Sequence, residues 1–96
     1  MVELTLISPG EQAIKPLIEA ALVNEQRLLA VGMRKTQQRL QKFEAQYGMP
    51  TPEFVVKYRN DEIQETLETI EWLGEYRMAQ RIQAKIDTLK AIRFAN

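Results

Sequence analysis

Glu68, Glu71 and Glu75 come nearest, by type and spacing, to a chemical site in this chain. Steps of three and four residues put their carboxylates on one helix face, as in helical bundles that hold paired metal ions. Such sites also use a Glu-x-x-His pair, and the chain has no histidine. The acidic row therefore reads as a solvated or ion-paired face, with no metal and no cofactor. A second group, Arg34, Lys35, Arg39 and Lys42, is interleaved with Gln37, Gln38 and Gln41 and could contact phosphates. Lys+Arg and Asp+Glu both number 13, so no net field supports nucleic-acid binding, and pairing with the acidic row is preferred. Ser8, Thr36 and Thr51 have no base to activate them, and there is no cysteine for thiolate chemistry or disulfides. Neither Ser8-Pro9-Gly10-Glu11 nor Tyr47-Gly48-Met49 has the glycine spacing of a phosphate loop. The chain reads as non-enzymatic. The remaining group is aromatic: Phe54, Tyr58, Trp72 and Tyr76 could anchor a partner or could fill the end of a helical hairpin.

The element that positions most of these residues is a long amphipathic helix over 17–47. Ile18, Leu22, Leu29, Met33, Leu40, Phe43 and Tyr47, with Thr36 filling a gap, recur at helical spacing, and cations and glutamines lie opposite. Gly48 suits the left-handed position after a helix, and Pro50 forbids continuation. Ser8, Pro9 and Glu11 predict a short helix over 9–15, broken at Pro16. Thr51-Pro52 starts another over 52–58. Asn60 or Asp61 then caps a second long helix over 61–94, with Ile63, Leu67, Ile70, Leu73, Met78, Ile82, Ile86, Leu89 and Ile92 as its core stripe; Trp72 and Tyr76 lie one step off it. Residues 1–8 form a strand or arm, since Val2, Leu4 and Leu6 alternate with Glu3 and Thr5. With no other strand in sight, Leu4 and Leu6 are expected to pair with a second copy or with a different protein, unless the terminus is frayed.

Charge predicts antiparallel pairing of the long helices. Asp61, Glu62, Glu65, Glu68, Glu71 and Glu75 precede Arg77, Arg81, Lys85, Lys90 and Arg93, whereas Glu19 and Glu25 precede Arg34, Lys35, Arg39 and Lys42. The expected architecture is a single all-α domain over 1–96, a helical hairpin with a short connecting helix and an N-terminal strand. A lone hairpin is expected to leave Trp72, Tyr76, Leu28 and Val31 uncovered, so a second copy is expected to complete a dimeric four-helix bundle. The N-terminus lacks the basic and apolar regions of a signal peptide, and no apolar run is of membrane-spanning length, so the expectation is a soluble, cytoplasmic protein.

Arg39 to Met49 (Arg-Leu-Gln-Lys-Phe-Glu-Ala-Gln-Tyr-Gly-Met), then Glu53-Phe54, then Ile70 to Tyr76 (Ile-Glu-Trp-Leu-Gly-Glu-Tyr), resemble small prokaryotic antitoxin-like proteins of toxin–antitoxin pairs. The shared features are a long helix ending in Tyr-Gly-Met, a short Glu-Phe helix and an acidic-Trp segment. The resemblance implies a protein that binds and neutralises a partner toxin, with no catalytic residue. Phe54, Tyr58, Trp72, Tyr76, Leu4 and Leu6 are the candidate partner-binding residues. The alternatives are a structural bundle subunit and a ribbon-helix-helix-like DNA binder. The second is disfavoured because the strand offers only Glu3 and Thr5 to read bases and the helices are too long.

Overall fold

A helix of 34 residues, Ile14–Tyr47 (α1), is the spine of the computed structural model, which describes residues 2–5 and 14–94. Strand β1 (Val2–Leu4) precedes it; helices α2 (Thr51–Arg59) and α3 (Leu67–Lys90) and strand β2 (Ile92–Phe94) follow. The molecule measures 60 × 22 × 18 Å, and its radius of gyration is 19.0 Å. A compact domain of this size would have one of about 12 Å, so the hairpin is a rod with one thick end. Leu6 and residues 9–13 of the short helix predicted over 9–15 lie outside the described residues, and residues 14 and 15 belong to α1. Pro16 does not break α1 as expected. The described helix runs through it, from Ile14 onward.

At the C-terminus of α1, Gly48 adopts φ 65 and its N–H bonds Glu44 O at 2.9 Å, as its sequence position predicts. Pro50 is extended and carries no capping side chain for α2. The cap comes instead from α1: Glu44 Oε2 accepts the Thr51 N–H at 2.6 Å. This frees the Thr51 hydroxyl, expected to cap, to accept from Trp72 Nε1 at 3.0 Å.

The second long helix begins at Leu67 rather than Asp61. Asp61 takes a left-handed φ of 58, which ends the connection from α2, and residues 62–66 are not helical. Thr66 is the cap: its hydroxyl accepts the Thr69 N–H at 3.2 Å, and Thr69 Oγ1 accepts the Thr66 N–H at 2.7 Å. The reciprocal pair satisfies two backbone donors that a helix start otherwise strands.

α1 and α3 run antiparallel in one register. Gly32 lies beside Ile82, whose Cδ1 would be 3.6 Å from a Cβ at 32. Arg39 pairs with Glu75 at 3.5 Å, and Gln46 Nε2 donates to Glu68 Oε2 at 2.7 Å. Each step of seven residues along α1 thus meets seven residues back along α3, the heptad repeat of a coiled pair. The basic late part of α1 lies beside the acidic early part of α3, as the charge layout predicts. All eight stripe residues of α1 from Ile18 to Tyr47 are buried or half-buried, with Thr36 fully inside.

For α3 the expected stripe is partly wrong. Leu73, Ile82, Ile86 and Leu89 face inward, but Leu67, Ile70 and Met78 are exposed, and Thr69, Trp72 and Tyr76 take the inner positions. Two apolar stripes compete on this helix, and burying an indole removes more apolar surface than burying any of the displaced aliphatics. The helix also stops at Lys90, short of Phe94. β2 pairs in parallel with β1, in the register Val2 to Ile92, Glu3 to Arg93 and Leu4 to Phe94. The expectation that the N-terminal strand has no partner in its own chain is therefore corrected: tertiary pairing overrides the helical continuation of the Ile86, Leu89, Ile92 pattern.

Candidate interaction surfaces

The closed end of the hairpin is a cluster of Phe54, Val55, Trp72 and Leu73, flanked by Leu40, Phe43, Tyr47, Met49, Tyr58, Ile63 and Tyr76. Trp72 is its centre. The Phe54 ring stacks on the indole at 3.8 Å and 4°, the Phe43 ring lies nearly parallel at 5.6 Å, and Tyr47 is tilted at 5.3 Å. Ring pairs of this kind add about 0.5–1.5 kcal/mol each beyond the area they bury. Both Trp72 and Phe54 have 0% exposure. The expectation that a lone hairpin leaves Trp72 uncovered is corrected: α2 folds over it, and its N–H is satisfied by Thr51 within the same chain. Of the aromatic patch proposed from sequence, Phe54 and Trp72 are core, while Tyr58 and Tyr76 are half-buried at its edge. Tyr58 donates to Glu65 Oε1 at 3.1 Å, and its phenol is held above the usual 10, first by partial burial and then by that carboxylate. Tyr76 accepts from Gln80 at 2.9 Å. Leu4 is half-buried, in the strand paired with β2.

The charged groups separate rather than converge. Glu68 and Glu75 turn toward α1, where Gln46 and Arg39 meet them, and Glu71 stands at the rim of a groove. Among the described residues no three His, Cys, Asp or Glu side chains are placed to hold a metal ion. Arg34, Lys35, Arg39 and Lys42 are all exposed, and among them only Arg39 has a carboxylate within salt-bridge distance among the described residues. The groove is about 560 Å³ and is lined by Arg39, Lys42, Phe43, Gln46, Glu71, Gly74 and Glu75; at Gly74 nothing lies within 4 Å of where a Cβ would stand.

What sequence reasoning placed inside the core, the structure turns outward. On α3, Leu67 is 74%, Ile70 48% and Met78 41% exposed. On α1, Leu17, Leu28 and Val31 stay exposed on the side away from α3, with Ala21 and Asn24 completing a row at steps of three and four. Leu28 and Val31 were expected to be uncovered, and they are. The α3 row could have been found from Gly74, since a glycine in the middle of a supposed core stripe is a poor core residue but a good surface for close approach. Among the described residues no helix is long and apolar enough to cross a membrane. No protein-family model, curated protein or solved structure matches the chain.

Proposed function

We propose that the protein is a non-enzymatic interaction module. In this reading it is a helical hairpin that self-associates as a dimeric four-helix bundle and binds a partner protein, in the manner of an antitoxin neutralising its toxin. One observation carries the reading. Among the described residues eight large apolar side chains are exposed while Trp72 and Phe54 are fully buried, so the leftover apolar surface is not a failure to fold. Apolar rows of this kind on a folded surface mark interaction sites. The outward row of α1, Leu17, Leu28 and Val31, has the spacing of a helix that lies in a partner's groove. The resemblance of residues 39–49 and 70–76 to antitoxin-like proteins makes a protein, rather than a small molecule, the expected occupant. A purely structural subunit would share the dimer and lack the partner. The ribbon-helix-helix-like reading is less favoured, since β2 of the same chain already occupies one edge of β1.

Two measurements test the proposal. Light scattering coupled to size exclusion should give a dimer at micromolar concentration, and a stable monomer would defeat the self-association. Co-expression with the product of the adjacent reading frame should give a complex that Leu28→Glu abolishes; a complex indifferent to that change would remove α1 as the docking face.

A further inference from the structure

Leu67, Ile70, Gly74, Met78 and Arg81 lie on one outward face of α3, and all are exposed. The charge on this helix is divided about Gly74. Residues 67–76 contain Glu68, Glu71 and Glu75 and no base; residues 77–86 contain Arg77, Arg81 and Lys85 and no acid. Glu68 and Glu75 turn toward α1, so the acid beside this face is Glu71, with the exposed Arg77, Arg81 and Lys85 on the other side of Gly74; an apolar row flanked in this way is complementary to a copy of itself laid in the opposite direction. Laid parallel, it would set like charges together.

We propose that a second copy of this chain docks on this face, α3 against α3 and antiparallel, with the two-fold axis passing at Gly74. The inference rests on the self-association proposed above and names its surface. With the axis there, Ile70 lies level with the partner subunit's Met78, and Leu67 level with the partner subunit's Arg81. Glu71 is four residues of helix rise, about 6 Å, from the level of the same partner arginine, within reach of a long side chain. Gly74 meets itself, and having no Cβ it lets the two backbones approach closely. Such an interface is isologous and closes on two chains. It leaves the apolar row of α1 free for a different partner.

The absence of cysteine makes the test clean. Under mild oxidation Gly74→Cys is expected to form a covalent dimer. Leu67→Cys is expected not to, because antiparallel pairing separates its two copies by about 21 Å; efficient cross-linking at 67 would overturn the antiparallel arrangement. Separately, Glu71→Arg and Arg81→Glu are each expected to weaken dimerisation about tenfold or more, and the combined variant to recover most of it. Far-UV circular dichroism confirms that each variant folds. A dimer that ignores all of these changes would overturn this face while leaving self-association intact, whereas a wild-type chain that stays monomeric would overturn both.

Discussion

Trp72 Nε1 donates a 3.0 Å hydrogen bond to Thr51 Oγ1, and both residues are buried. This bond ties the start of α2 to the middle of the first half of α3, and so closes the hairpin over its own largest side chain. Thr51→Val keeps the shape and removes the acceptor, stranding a buried N–H. The expected cost is about 1–3 kcal/mol, read as a lower urea midpoint with an unchanged denaturant slope, and Thr51→Ser should recover most of it. An equal loss in Thr51→Ser would mean that the hydroxyl is not what matters.

Glu44 performs a cap's task from a different helix, accepting the Thr51 N–H at 2.6 Å where Pro50 cannot. Glu44→Ala should destabilise the fold by about 1–2 kcal/mol, the range of a lost N-cap. Hydrogen exchange should accelerate first in α2, whose N-terminus is released. Uniform acceleration across α1 and α3, with α2 no faster, would contradict the assignment.

The two glycines flanking the closed end should respond to alanine in opposite directions. Gly48 sits at φ 65, so Gly48→Ala should cost roughly 1–2 kcal/mol of left-handed strain. Gly74 is helical, and a Cβ there meets nothing within 4 Å, so Gly74→Ala should stabilise the isolated hairpin by up to about 1 kcal/mol. Thermal unfolding at dilution low enough to keep the chain monomeric would show the two shifts, and shifts of the same sign would refute the backbone argument.

Partial burial and the acceptor Glu65 raise the Tyr58 phenol above its ordinary value of 10.0. The folded state therefore holds this proton more tightly than the unfolded chain does. The contribution is fully present below the unfolded pKa and is lost as pH rises through the folded one. Stability should fall through the alkaline range above about pH 10, and Tyr58→Phe should flatten that part of the profile. An alkaline slope unchanged by Tyr58→Phe would place the titration elsewhere.

Much of the hairpin was legible because its signals are local. The α1 stripe, the Gly48 terminus and the opposed charge halves each follow from residue type and spacing, and the register through Arg39 and Glu75 realises them. What was not legible depended on competition at a distance. Thr66 and Thr69 form a capping pair without the usual Glu or Gln, so Asn60 and Asp61 looked like the better start. β2 is three residues long and continues a helical pattern, and only its pairing with β1, nearly the whole chain away, makes it a strand. On α3 the sequence offers two apolar rows at helical spacing. Which one turns inward is decided by Phe43, Phe54 and Thr51 gathering around Trp72, an arrangement that spacing alone does not reveal. The same ambiguity hid the candidate surface, since Leu67, Ile70 and Met78 were read as core.

Sedimentation equilibrium of the unmodified chain across the micromolar range tests the central claim most directly, that a hairpin with Trp72 and Phe54 already covered still docks a second copy of itself on an outward apolar row. The expected result is a species of twice the 11.2 kDa chain mass, dissociating on dilution. A single, well-folded species of 11.2 kDa at every concentration would contradict it.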